Sequence, residues 1–232
     1  MTLPIGPAAF FDVDETLITV KSMFDFLAFR YQVEGRPESD YARDHGALRR
    51  LADQGVPREE VNRAYYRLFA GVPEAELAEQ GEQWFRTRTE AGELFHAPAL
   101  AAFRRHTEQG HHTVLVSGSF PGCLDPIARH VAADTILCSR PLVADGILTG
   151  ELEQPMIGAA KAAAARELLR TAGLDPQECH AYGDHSSDLD LLRLVGHPTV
   201  VGEDPVLTEH ADRGGWSRLP GLGHGAAAVP TT

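Results

Sequence analysis

Two carboxylates, Asp12 and Asp14, stand two residues apart at the end of the apolar run Ala8-Ala9-Phe10-Phe11, and a hydroxyl follows at Thr16. An apolar run of this length with a polar boundary reads as a buried strand of the kind found inside a parallel sheet. Bare carboxylates there repel each other, so a cation or a shared proton is the expected resolution. On these residues alone a strand running into a solvated acidic turn is an equal alternative. Three further places offer matching chemistry. Thr113 to Ser117-Gly118 is a second β-prone run that ends in a hydroxyl and a glycine, and Lys161 lies in an alanine-rich helical stretch. Gly183-Asp184 closes a third run, with Asp188 one helical turn further on. Carboxylates collect Mg²⁺, a hard cation that prefers oxygen. A lysine, a hydroxyl and free amides suit a phosphate. Metal binders and phosphate binders on one rim point to phosphoryl chemistry.

The elements that must position these groups follow from hydrophobic period. After the opening strand the pattern is helical for about ninety residues. Met23, Phe24, Phe26, Leu27 and Tyr31 form one stripe; Pro57 opens a helix closed by Gly71; further segments start at Pro73 and near Pro98. The aromatic residues of this block read as the core of a small helical bundle. Strands and helices then alternate: a strand from Thr113, a helix from Pro126 to Ala132, and a strand from Ala133 to Cys138. Next come a hairpin around Asp145-Gly146, a helix from Ile157 to Thr171, and strands at Glu178–Tyr182 and Pro198–Val201. Such alternation implies a doubly covered parallel sheet, with ligands bound outside the carboxyl ends of its strands. The fold class expected is α/β: a Rossmann-like three-layer α/β/α core with an inserted α-helical cap. Residues 1–18 and 93–220 would form the core, 19–92 the cap and 221–232 a flexible tail.

Composition sets the remaining bounds. A chain of 232 residues that is 43% hydrophobic and 23% charged has room for one α/β domain with an insertion. A net charge of −12 argues against nucleic acid or an anionic membrane as partner. Cys123, Cys138 and Cys179 are widely spaced and fit no metal pattern, which suits a reducing compartment. No leader pattern and no apolar run of membrane length is present, so a cytoplasmic location is expected. Monomer and homodimer are both compatible with this sequence.

Taken singly, each motif has a plainer explanation. Lys161 can be a solubilising charge, Ser117-Gly118 a turn, and Asp184 and Asp188 a helix cap and a first-turn acid. Their joint occurrence, in order, resembles the haloacid dehalogenase superfamily, and within it the phosphoserine-phosphatase-like members with a helical cap after the first strand. Asp12-Val13-Asp14-Glu15-Thr16 matches the family's Asp-x-Asp-x-Thr, and Ser117 its Ser or Thr at a strand end. Lys161 matches the single lysine, and Gly183-Asp184-His185-Ser186-Ser187-Asp188 the Gly-Asp-x-x-x-Asp.

The resemblance implies a Mg²⁺-dependent phosphatase acting on a small-molecule phosphate ester. Asp12 would be the nucleophile and Asp14 the general acid and base. The metal would be held by the Asp12 side chain, the Asp14 backbone carbonyl and Asp184. Lys161, Ser117 and Gly118 would hold the phosphoryl group, with Thr16 and Asp188 in support. An acid at position 14 favours phosphate-ester hydrolysis over dehalogenation; a phosphotransferase or mutase remains the alternative, as does a non-catalytic phosphate-sensing module. One departure bears on substrate. Phosphoserine phosphatases carry a glutamate soon after the first motif, where this chain has Lys21. A cation there suits an anionic or neutral polyol group better than an ammonium, so a generic small phosphomonoester ranks above phosphoserine or histidinol phosphate. His185 is a candidate for the substrate rim.

Overall fold

The computed structural model describes residues 6–92 and 94–222. Apart from positions 221 and 222, the expected flexible tail lies outside the described residues. The first strand, β1 (Ala8–Phe11), is fully buried along its length. Its side chains alternate between two apolar clusters. Ala9 and Phe11 belong to one, with Leu115 and Phe103; Ala8 and Phe10 belong to the other, with Val114 and Leu169. This period of two on a strand covered from both sides explains why the run is apolar throughout rather than alternating.

The chain leaves β1 for four helices, α1 (Ser22–Val33), α2 (Glu38–Asp53), α3 (Arg58–Arg67) and α4 (Glu74–Glu90), and returns through α5 (Ala97–Glu108) to β2 (His112–Ser117). The outgoing and incoming chains run side by side. Thr19 N–H donates to the Leu94 carbonyl and His96 N–H to that of Leu17, at 2.8 and 3.0 Å. Then follow α6 (Pro121–Val131), β3 (Thr135–Cys138), the hairpin β4 (Pro141–Ala144) and β5 (Ile147–Leu152), and α7 (Ala159–Ala172). The chain continues through β6 (His180–Gly183), α8 (Leu189–Leu192), β7 (His197–Val201), α9 (Pro205–Gly214) and β8 (Ser217–Leu219).

Six strands make a sheet in the order β3-β2-β1-β6-β7-β8, with every pair parallel. Helices α5 and α6 cover the face carrying Phe11; α7, α8 and α9 cover the other. Because β1 lies between β2 and β6, the order reverses beside it, and a crevice opens at the carboxyl ends of these three strands.

Four elements differ from the sequence-based expectation. Helix α2 fully buries only Leu48, with Tyr41 partly buried beside it, and seven of its sixteen residues are charged, so its apolar face is thin. Helix α6 starts at Pro121 rather than Pro126. Pro126 sits inside it, and the Gly122 carbonyl that would have received its missing N–H is instead approached by α4: a Cβ on Gly81 would fall 1.8 Å from that oxygen. Last, α9 and the three-residue β8 extend the sheet edge past the final expected strand.

Candidate active site

The end of β1 delivers Asp12 into the crevice. Its N–H is fixed by the Tyr182 carbonyl of β6 at 2.9 Å, and its side chain is buried. The chain then turns tightly: the Val13 carbonyl accepts from Thr16, Leu17 and Ile18, and Glu15 adopts a left-handed φ of 60°. This turn aims Asp14 at the first turn of α1, where its carboxylate accepts from Ser22 N–H at 3.1 Å. The same turn aims Thr16 at β6, and its hydroxyl donates to Asp184 at 2.8 Å. Residues two apart on a strand would share a face; the turn gives the two acids different neighbours.

Lys161, in the first turn of α7, is buried and forms ion pairs with both Asp12 and Asp188, the latter at 2.6 Å. Burial opposes its charge, but the two carboxylates more than offset this and hold the ammonium above the usual lysine range. The second carboxylate oxygen of Asp188 accepts from His185 N–H at 3.4 Å, completing a reciprocal cap on the turn after β6. Ser117 Oγ accepts from Ser119 N–H at 3.0 Å, which leaves its own proton free to donate. The Gly118 carbonyl accepts from Asn62 and Tyr66 of α3, both at 3.1 Å, so the helical block grips the β2 turn directly. A side chain on Gly118 would meet Ile157 at 3.0 Å.

Burial raises all three acids, Asp12, Asp14 and Asp184, and their partners differ. Burial, reinforced by Asp12, raises the Asp14 carboxyl to about 7. Burial and Asp188 raise Asp184 to about 6, against the Thr16 hydrogen bond. Asp12 is pushed well up by burial, with Lys161 pulling it down. Oxygens of Asp12, Asp184 and Asp188 all lie within 4.8 Å of one another. Three acids against one ammonium is an unbalanced set, and its all-oxygen chemistry fits a hard divalent cation.

All the residues expected from the sequence are therefore brought together, with Lys21 and His185 at the outer edge. Lys21 is 58% exposed and pairs with Glu15 at 3.2 Å. The Arg58 guanidinium comes within 2.7 Å of the His185 ring. Both line a cavity of about 390 Å³ whose inner wall includes Met23, Phe24, Val61 and Tyr65. Arg58, Asn62 and Tyr66 were not legible as site residues, because only docking of α3 brings them there. The chain has two lysines and nineteen arginines, and both lysines line this cavity.

The family model for haloacid dehalogenase-like hydrolases matches residues 9–193. An "inhibition of morphological differentiation protein" of Streptomyces azureus is 30% identical over 214 residues, 91% of this chain and 77% of that one. A probable phosphatase of Mycobacterium tuberculosis is 37% identical over 126 residues, 54% of this chain and 44% of that one. The match thus spans less than half of that relative. A solved protein of unknown function from Bordetella pertussis Tohama I superposes with a TM-score of 0.82 at 25% identity, covering 93% of this chain and 98% of its own. A phosphoserine phosphatase solved as a phospho-aspartyl intermediate analogue, 20% identical and covering 90% of this chain and 92% of its own, shares the fold with a TM-score of 0.66.

Proposed function

The chain belongs to the haloacid dehalogenase-like hydrolase family, and from that premise we propose a Mg²⁺-dependent phosphomonoesterase that works through an aspartyl-phosphate on Asp12. The observation that carries this reading is the unequal pair of acids. Burial raises both, but of the two Asp12 alone is ion-paired to a buried lysine, which favours its carboxylate form; Asp14, two residues on, is raised to about 7 and faces a helix N-terminus.

In this reading the ester's phosphoryl group lies over Asp12, with its oxygens on Lys161, the Ser117 hydroxyl and the Gly118 amide. The Asp12 carboxylate attacks phosphorus and the bond to the ester oxygen breaks. Asp14 donates its proton to that departing alkoxide, then takes one from the water that attacks the acyl phosphate and frees Asp12. Mg²⁺, held by the Asp12 side chain, the Asp14 backbone carbonyl and Asp184, would supply the charge that offsets two anions approaching each other. Thr16 orients Asp184, and Asp188 holds Lys161 in register. The helical block, acting as a cap, shields the crevice from bulk water.

The cavity suits a small phosphorylated metabolite. On its rim Lys21 is offset by Glu15, and the Arg58 guanidinium beside His185 favours a neutral or anionic leaving group over the ammonium of phosphoserine. Free, buried thiols at Cys123, Cys138 and Cys179 support a reducing, cytoplasmic setting. Among the described residues no helix is long and apolar enough to cross a membrane. Phosphate release from a broad panel of esters, with isomerised products tracked in parallel, tests the class. Asp12→Asn should abolish turnover of p-nitrophenyl phosphate in a protein that still folds. Retained turnover would remove Asp12 from the role of nucleophile, and isomerised product without phosphate release would make the enzyme a mutase.

A further inference from the structure

The opposite end of the sheet carries a second concentration of ligand-type side chains that the phosphatase reading does not use. Five of the eleven histidines gather at its amino edge: His106 in the last turn of α5, His111 and His112 at the start of β2, and His180 and His197, first residues of adjacent strands. Local structure brings them together. Gly110 takes a left-handed φ of 72°, which folds the chain back so that His111 N–H donates to the His106 carbonyl at 3.0 Å. The two imidazoles then face each other, Nδ1 to Nδ1, at 2.9 Å. The His180 ring lies 4.5 Å from that of His106 and stacks on that of His197 at 4.7 Å, centroid to centroid.

We propose that His106, His111 and His180 form a second metal site, built for a borderline divalent cation such as Zn²⁺ and separate from the acidic crevice. One ring nitrogen from each of the three lies within 4.8 Å of the others. An ion about 2.0–2.1 Å from each nitrogen needs them roughly 3.3 Å apart, so small ring rotations close the set. The second shell is already present. His106 Nε2 lies 2.9 Å from the Tyr182 hydroxyl, and donating there leaves Nδ1 unprotonated and pointed at the other rings. Tyr182 is itself fixed, its ring stacked on Phe11 at 4.2 Å. The rings are also in the protonation state a ligand needs. Burial and mutual repulsion hold His106 at about 3 and His180 at about 4, so both are neutral at pH 7. Three neutral imidazoles without a carboxylate select Zn²⁺ and its neighbours over Mg²⁺, which prefers oxygen. His106 is buried while His111 and His180 are half-exposed, so the site keeps an entry path and an open position for water. An ion there would clamp the end of α5 to β6, whose other end leads into Asp184.

The test uses the full chain without an affinity tag, stripped with a chelator and held in excess Mg²⁺ so that the acidic crevice is filled. Zn²⁺ titrated by calorimetry should bind at one equivalent and raise the thermal midpoint. X-ray absorption should show imidazole nitrogen at about 2.0 Å. His111→Ala and His180→Ala should each weaken binding by at least about 100-fold, and Asp184→Asn should leave it intact. Tyr182→Phe keeps the stacked ring and removes only the hydroxyl; it should weaken Zn²⁺ by about 10-fold, which tests the site even if a histidine variant fails to fold. No Zn²⁺ uptake in excess Mg²⁺, an oxygen-only shell, or binding that survives His111→Ala, His180→Ala and Tyr182→Phe overturns the proposal.

Discussion

Asp12 and Asp14 are the same side chain two positions apart, and their surroundings give them different partners. Lys161 keeps a cation on Asp12, while Asp14 has burial and a neighbouring acid raising it to about 7. In the proposed mechanism Asp14 is the general acid and must be protonated to act, so its contribution is present below that pH and is lost as pH rises through about 7. For an alkyl phosphate, kcat/KM should therefore fall on the alkaline side of about 7. Asp14→Asn should lower it by about 10²- to 10⁴-fold and remove that limb. For p-nitrophenyl phosphate, whose leaving group needs no proton, kcat/KM of the same variant should change little. Equal losses for both esters would show that Asp14 acts by holding the loop rather than by moving a proton.

At the scale of elements, α4 packs on α6 at one of the places where the helical block meets the core. Gly81 approaches the Gly122 carbonyl so closely that even a methyl group would collide with backbone, which cannot rotate away. Gly81→Ala should cost about 1–3 kcal/mol in urea unfolding, and a neutral result would mean that α4 can shift on α6 without loss. The network around Asp25 reinforces the same block. Trp84 Nε1 donates to its carboxylate at 2.7 Å and Arg88 at 2.5 Å, joining α1 to α4. Helices with an apolar stripe were legible from period alone, as the stripe from Met23 to Tyr31 was. Helix α2 was not: its core side is the short series Tyr41 and Leu48, set among the local ion pairs of Arg36, Asp40, Arg43 and Asp44. Pro126 misled for a related reason. Proline marks a helix start by propensity, yet here tertiary packing accepts it inside α6.

For the whole molecule, the net charge of −12 coexists with a site meant for an anion, and the crevice resolves this locally. Inside it Asp12, Asp184 and Asp188 outnumber Lys161, so the charge that draws an anion in would come with the divalent cation these carboxylates suit, while the distant surface field is screened. Chelation with EDTA should abolish phosphatase activity and Mg²⁺ should restore it. Mg²⁺ should also raise the thermal midpoint, because an ion bound by the folded state relieves repulsion between Asp12, Asp184 and Asp188. Full activity in EDTA would mean that Lys161 alone supplies the charge.

The chain itself determined which chemistry is present and roughly where it lies. Each strand that reaches the crevice ends in a reactive group, and apolar runs with polar ends are local signals that survive without a structure: Phe11-Asp12, Val116-Ser117, Gly183-Asp184. Membership of a family was readable for the same reason, since four short motifs in order are a property of sequence. The tertiary fold decided everything that depends on residues far apart in the chain. It set Asp12 and Asp188 on one ammonium, gave Asp14 to α1 and Thr16 to Asp184, and brought Asn62 and Tyr66 onto Gly118. It also gathered His106, His111 and His180 at the far edge of the sheet, where no spacing in the sequence announces them. Burial and through-space charge, which lift Asp14 and lower His106, depend on packing that brings distant segments together, and local sequence does not encode that.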